Sequence, residues 1–284
     1  MLYVVSIGGN ALDRDMVNLK YAIEAIKVLA KKGKIIITHG NGPQVGELAR
    51  FEVLSLSLLT AQTEAEIGYI IKKSIKNNLG LDSEVLLTDI LVDRKDNAFL
   101  NPTKPIGRYY EADELLKLKN KGFRFCKFER GYRRIVPSPL PIKILNFDTL
   151  KALLHNKIVI AGGGGGIPLT KTSKGYEFAE AVIDKDYTTA LIANKLKANV
   201  MFILTNVDGA YLNYGMKEQT LIKNITAKEI KRYLADGEFE EGSMKPKVKA
   251  CIEFVEKNKG IAVICNLNKA SDAIKLRNCT VITP

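Results

Sequence analysis

Short apolar runs alternate with amphipathic stretches along the chain, and three of the runs break directly into glycine. Leu2–Ile7 leads into Gly8-Gly9-Asn10, residues 35–38 into His39-Gly40-Asn41-Gly42, and Ile158–Ala161 into Gly162 through Gly166. Each pattern predicts a buried parallel strand ending in a turn that lets backbone N–H groups approach an anion. Glycine tolerates the φ/ψ values that such an approach requires, and ligands of open α/β sheets bind beyond the carboxyl ends of strands. Leu19, Ile23, Ile26 and Ala30 share one face of a helix ending near Gly33. Pro43 belongs in the first turn of an apolar helix reaching about residue 59, and a further helix is expected over 64–78. Residues 85–87 and 90–92 read as extended. In the second half, Ile158–Ala161 precedes a helix over 187–196 and a strand over 200–204. Thr226-Ala227-Lys228-Glu229 forms a capping box for a helix ending near Asp236. A helix over 246–257 and a strand over 261–265 follow. The alternation predicts an α/β fold, a three-layer α/β/α sandwich around a mainly parallel central sheet.

Residues 93–142 break the pattern. The stretch is polar and holds five of the nine prolines (Pro102, Pro105, Pro137, Pro139 and Pro141), with one modest helix at 112–119. Structureless loops of such length are rare in compact domains, so an inserted, protruding subdomain or flap is expected. Tyr109, Tyr110, Phe123, Phe125 and Phe128 would pack inside it. The 284 residues read as one domain, with an N-terminal lobe of about 1–155 and a C-terminal lobe of about 156–284.

Composition narrows the function classes. Hydrophobic residues make up 46% and charged residues 26%, ordinary globular usage. No apolar stretch approaches the ~20 residues of a membrane span, and the first residues read as a strand, not a signal peptide. The four cysteines include no C-x-x-C pair, so a reduced, cytoplasmic setting is expected and zinc spacing is absent. The net charge of +12 is spread along helices and turns (Lys31-Lys32, Lys72-Lys73, Lys117 and Lys119, Lys257 and Lys259). That distribution reads as a Lys-rich solvated surface, of the sort that suits an anionic substrate or a high growth temperature, more than as a nucleic-acid footprint.

The candidate chemistry is phosphoryl transfer. There is no G-x-x-x-x-G-K-[ST], and Gly40, Gly42 and Gly46 miss the G-x-G-x-x-G spacing by one residue, so neither a P-loop nor a dinucleotide fingerprint is present. Three lysines stand in special contexts: Lys104 between prolines before Gly107, Lys185 in Asp184-Lys185-Asp186, and Lys247 after Gly242-Ser243-Met244-Lys245-Pro246. Transfer of a phosphoryl group needs positive charge around its oxygens and little covalent help. Plainer readings stand beside these. His39 is either a general base or a strand-end histidine, and Asp186 either orients lysines or caps the helix from Tyr187. Lys104 is either functional or a solvated lysine. Gly162 through Gly166 is longer than a turn requires and suits an anion cradle.

At these segments the chain resembles the carbamate kinases of the amino-acid kinase superfamily. The matching segments are residues 8–12, 39–46, 101–107, 131–139, 163–168, 181–186, 204–208 and 242–247, in family order. The resemblance implies reversible phosphoryl transfer between ATP/ADP and carbamate/carbamoyl phosphate. It implies that Gly8, Gly9, Asn10, Gly40, Asn41, Gly163 and Gly164 hold carbamate and the phosphoryl group. Lys185 and Lys247 would neutralise its charge, Asp186 would organise them, and Lys104 would reach over from the flap. Thr205, Asn206, Val207, Asp208, Gly242, Ser243 and Met244 would border the nucleotide. Mg2+ would bind through the nucleotide phosphates with no dedicated protein ligand, and a homodimer is implied. The main departure lies at residues 63–69, where relatives carry Thr-Gln-Gly-Ser-Ile-Gly-Tyr and this chain has Glu64 and Glu66. Both acids are expected to face solvent or pair with lysines such as Lys72 or Lys73. An acid in the pocket would instead favour another carboxylate, phosphate or phosphonate acceptor. An idle ligand-sensing relative is disfavoured because Lys185, Asp186 and Lys247 are all present.

Overall fold

The structure, a computed structural model, describes residues 1–8, 12, 18–51, 54–119, 122–155 and 158–284. Its spine is an eight-stranded sheet. From one edge the order is Asn224–Thr226, Cys279–Thr283, Ile261–Asn266, Val200–Thr205, Leu2–Ile7, Lys34–His39, Ile158–Ala161 and Ser83–Leu86. Every neighbouring pair is parallel except Ile261–Asn266 with Cys279–Thr283. Both faces are covered, as a parallel sheet requires. Val4, Ile36, Val159, Met201 and Ile203 pack with the helices Lys185–Lys195 and Met244–Asn258 through Ile192, Ile252 and Phe254. Tyr3, Val5, Ile35 and Ile37 pack on the other side with Leu19–Ala30 and Leu56–Leu79 through Ile23, Ile26, Ile67 and Ile71. Successive strand residues thus feed opposite cores, which is the expected three-layer sandwich. Among the described residues no helix is long and apolar enough to cross a membrane.

Several helix boundaries differ from the pattern reading, for local reasons. The apolar stretch after Pro43 is a short helix, Gly42–Leu48, and residues 56–79 form one long helix, not two. Ser55 starts the long helix by accepting from the Leu58 N–H, and Gly80 ends it at φ +69°. Residues 60–63, between the two expected helices, are helical, and the Thr63 hydroxyl bonds back to the Leu59 carbonyl at 2.8 Å within the helix. The helix expected from Tyr187 begins at Lys185, capped by Asp184, whose carboxylate accepts the Asp186 N–H at 3.0 Å. Asp186 is therefore inside the helix and is not its cap. The capping box at Thr226 and Glu229 is present.

Within 93–142 lies a separate three-stranded antiparallel sheet, with Gly131–Val136 between Lys104–Tyr110 and Arg124–Phe128. Edge-to-face pairs Tyr110–Phe125 (5.4 Å) and Tyr109–Phe128 (6.5 Å) tie its strands together. It seats on the sandwich through a small apolar cluster in which Ile106 and Val136 meet Val45, Ala49, Leu56, Leu59 and Val182. A four-stranded sheet, Gly175–Phe178, Ile167–Thr172, Asp89–Val92 and Pro141–Ile144, joins the base of this insertion to the glycine loop after Ile158–Ala161.

The seat depends on two glycines. A Cβ on Gly46 would lie 1.8 Å from the Gly107 nitrogen, and Gly107 itself has φ +69°. Backbone meets backbone here, so no side chain can swing aside. Gly46→Ala is expected to cost roughly 1–3 kcal/mol or more by overpacking, read as a lower midpoint in chemical unfolding. A midpoint equal to that of the unsubstituted chain would show that the contact is not fixed.

Candidate active site

The carboxyl ends of Leu2–Ile7, Lys34–His39, Ile158–Ala161 and Val200–Thr205 open into one cavity of about 290 Å³, roofed by the flap and floored by the start of helix Lys185–Lys195. Gly8, Gly40, Asn41 and Gly164 reach it from the strand ends; Lys104 comes from the flap; Lys185, Asp186 and Lys247 come from the helices. Thr205, Asn206, Gly242 and Ser243 line its other side. The structure therefore brings together residues that lie up to 239 positions apart in the chain, from Gly8 to Lys247. Gly9 and Asn10 lie outside the described residues. Val207, Asp208 and Met244 do not line the cavity: Asp208 pairs with Lys269 at 2.7 Å and Met244 packs against the core.

Asp186 is the centre of the charge arrangement. Its two carboxylate oxygens receive Lys185 Nζ at 2.5 Å and Lys247 Nζ at 3.1 Å. Lys185 also donates to Ser6 Oγ at 2.8 Å, and Lys247 to the Ser243 carbonyl at 3.2 Å. Next to this triad, Lys104 Nζ meets Asp184 Oδ2 at 2.5 Å. Burial alone would raise the Asp186 pKa, but Lys185 and Lys247 outweigh it and hold the carboxyl well below its usual range. Asp184 is likewise lowered against burial, chiefly by Lys104. Burial pulls Lys185 down, with Asp186 resisting; burial also opposes Lys247, whose pKa the two aspartates nevertheless raise. Four cations (Lys104, Arg133, Lys185 and Lys247) face two carboxylates in the cavity, leaving an excess of two positive charges for an anionic ligand.

The glycine turns contribute shape more than free amides. The Gly8 N–H goes to the Leu204 carbonyl and the Gly40 N–H to the Ile7 carbonyl, both at 3.1 Å. In the loop after Ile158–Ala161, Gly162 donates to Thr88 Oγ1 (2.7 Å) and Gly163 to Glu64 Oε1 (2.9 Å). Gly165 and Gly166 donate to carbonyls of the loop itself. Gly163 thus points its N–H into the protein and does not line the cavity. What the loop needs glycine for is close approach: a Cβ on Gly164, at φ +63°, would fall 2.1 Å from Asn41 Nδ2.

Glu64 overturns an expectation. It is fully buried, and its two oxygens accept the N–H groups of Gly163 (2.9 Å) and Thr88 (3.1 Å). It faces neither solvent nor the cavity. Lys72 pairs with Glu84 instead, at 2.7 Å. The physical reason is helical register: Thr60, Glu64, Ile67, Ile71 and Ile75 recur at three and four residues on the buried face of Leu56–Leu79. Glu66, on the opposite face, is exposed as expected. His39 is settled as well. Burial lowers its pKa to about 4, and Nδ1 lies 3.1 Å from the Gly40 carbonyl, a contact that the Nδ1–H tautomer satisfies. It is a neutral strand-end histidine outside the cavity lining.

Asp184 and Arg133 line the cavity and are not among the site residues expected from sequence. Asp184 was legible as the first acid of Asp184-Lys185-Asp186. For Arg133 the only signal is strand alternation: Arg133 and Arg134 must face opposite sides, and Arg134 stacks over Phe123 at 3.7 Å while Arg133 takes the cavity side.

Burial raises the Glu64 pKa from 4.5 to about 8. A raised folded-state pKa contributes stability fully present below pH 4.5 and lost as pH climbs through 8. Compared with Glu64→Gln, the unsubstituted chain should therefore lose melting temperature progressively between about pH 5 and pH 9. Parallel melting-temperature curves for the two proteins would contradict the buried acid.

Comparison with known proteins follows the same outline. The amino acid kinase family profile matches residues 1–266. The chain is similar to carbamate kinase 2 of Staphylococcus epidermidis, with 41% identity over 98% of each chain. It is similar to carbamate kinase of Thermoplasma volcanium, with 39% identity over 99% of each. Among solved structures, carbamate kinase from Giardia lamblia bound to AMP-PNP superimposes with a TM-score of 0.87 at 35% identity, covering 99% of this chain and 98% of that one.

Proposed function

Because the chain belongs to the amino acid kinase family, among its carbamate kinases, we propose that it moves a phosphoryl group reversibly between ATP and carbamate, and between carbamoyl phosphate and ADP. The observation that carries this reading is the Asp186 carboxylate gripping Lys185 and Lys247 at the floor of a small, positively charged cavity. In-line transfer spreads negative charge over three equatorial oxygens. Two ammonium groups held by one carboxylate can meet that charge from fixed positions, without reorganising as it develops. Lys104 adds a third cation from the flap, exchanging Asp184 for the substrate. Carbamate attacks through an oxygen that is already ionised, so no base is required, consistent with His39 being neutral and withdrawn.

The N-terminal lobe, about 1–155, would hold the acceptor beside Gly8, Gly40 and Asn41. The C-terminal lobe, about 156–284, would hold the nucleotide beside Thr205, Asn206, Gly242 and Ser243. Residues 93–142 would act as the cover. The AMP-PNP complex of the Giardia relative supports ATP as the donor. Among the described residues no three His, Cys, Asp or Glu side chains gather as a metal cage, and both cavity carboxylates carry ammonium partners. That donor set fits Mg2+ entering on the nucleotide phosphates and keeping most of its waters, where it supplies charge neutralisation. Glu64 no longer argues for a different acceptor, since it turns away from the cavity.

A homodimer is supported by an uncovered apolar row on the outer face of the four-stranded sheet. Phe178, Leu169 and Leu91 align across three strands there, with Tyr176 beside them, and Phe178 and Tyr176 are exposed. A cytoplasmic setting is supported by four free cysteines, Cys126, Cys251, Cys265 and Cys279.

The test is ATP formation from ADP, carbamoyl phosphate and Mg2+, run beside a panel of other acceptors with ATP. Turnover with carbamoyl phosphate is expected; turnover only with another acceptor would overturn the reading. Lys185→Ala and Lys247→Ala should each lose on the order of 10²-fold or more in kcat while remaining folded by circular dichroism. Near-normal turnover in either folded variant would remove that lysine from the mechanism.

A further inference from the structure

Arg133 enters the cavity from the flap strand Gly131–Val136. One Nη donates to the Gly107 carbonyl at 2.9 Å, and the guanidinium lies 5.5 Å from the centre of the Tyr109 ring. Its Nε–H is buried and has no hydrogen-bond partner. Neither cavity carboxylate is available to it: Asp184 is taken by Lys104, and Asp186 by Lys185 and Lys247. Among the described residues no carboxylate pairs with this guanidinium at all. Burial pulls its pKa down, yet an arginine stays protonated in a protein. A cation withdrawn from water with a donor left over is costly unless a ligand completes it.

Position decides which ligand. Gly107, whose carbonyl Arg133 holds, packs by its nitrogen and Cα against Gly46 of helix Gly42–Leu48, and the first residues of that helix, Gly42 and Pro43, line the same cavity. Thr205, Asn206, Gly242 and Ser243 approach from the C-terminal half. The guanidinium therefore stands on the acceptor side. Its planar fork matches the two coplanar oxygens of a carboxylate, which a lysine ammonium, a point charge, does not.

We infer that Arg133 is a substrate-binding residue that holds the acid group of the acceptor, the carboxylate of carbamate and the corresponding oxygens of carbamoyl phosphate. The inference rests on the carbamate kinase reading and adds to it the residue that selects a small planar anion. The bound acceptor pairs with the guanidinium where it lines the cavity, and the same side chain keeps its tie to the flap through Gly107. Lys104 and Arg133 then divide the work on the flap's two paired strands. The lysine brings charge toward the transferring group, and the arginine fixes the acceptor's orientation.

The experiment compares Arg133→Met and Arg133→Lys with the unsubstituted chain in the ATP-forming assay. KM is measured separately for carbamoyl phosphate and ADP, alongside the melting temperature of each protein with and without carbamoyl phosphate. Arg133→Met is expected to raise KM for carbamoyl phosphate at least tenfold, leave KM for ADP within twofold, and abolish the thermal shift given by carbamoyl phosphate. Arg133→Lys should recover only part of the loss, because it restores charge without the fork. An unchanged KM for carbamoyl phosphate in the folded Met variant would overturn the inference, as would equal rises in both KM values or full recovery by lysine. If the unsubstituted chain forms no ATP, the carbamate kinase reading itself fails; a carbamoyl phosphate shift that persists in Arg133→Met then overturns the Arg133 assignment independently.

Discussion

One carboxylate between two ammonium groups is the interaction on which the rest of the site depends. Lys185 and Lys247 are both withdrawn from water, and each would be expensive to bury alone. Asp186 makes their burial tolerable by offering one oxygen to each, at 2.5 and 3.1 Å. The arrangement also opposes the helix it sits on, since Lys185 is the first residue of a helix whose N-terminal end carries partial positive charge. Asp184 as cap and Asp186 in the first turn offset that. Threonines complete the anchoring: Thr189 bonds back to the Lys185 carbonyl and across to Thr38, both at 2.7 Å, and Thr188 bonds to the Gly165 carbonyl. The helix start is thereby fixed to two strand ends at once.

The glycines serve this electrostatic centre by letting backbones close in around it. Gly164 leaves space for the Asn41 amide, Gly8 sits against the Leu204 carbonyl, and Gly46 against Gly107 brings the flap down over the cavity. Glu64 braces the loop from behind through Gly163 and, with Thr88, links it to the four-stranded sheet. The cavity is thus small because its walls are main chain, and positive because its side chains are lysines and an arginine. A compact anion with a phosphoryl group suits both properties.

Much of this was legible in the chain. The strands betray themselves by apolar runs buried on both faces, and the glycines mark where they end. Lys104, Lys185, Asp186 and Lys247 stand out by context and do converge. What escaped notice depended on register. Glu64 looked like a surface acid because charge was weighed above its three-and-four spacing with Thr60, Ile67 and Ile71. Arg133 could not be told from Arg134, since alternation says that the two differ without saying which faces inward. The glycine amides seemed free because a turn's sequence does not reveal whether its N–H groups are already spent in the ladder.

The most direct measurement on the central claim is Asp186→Asn, with kcat for ATP formation and unfolding by denaturant followed on the same preparation. The amide keeps the shape of the side chain and removes the charge that holds two ammonium groups together. The account predicts a folded but less stable protein whose kcat falls by about 10²-fold or more, the loss expected when preorganised charges at the transferring group are misplaced. A folded Asp186→Asn protein that turns over carbamoyl phosphate at the rate of the unsubstituted chain would contradict it.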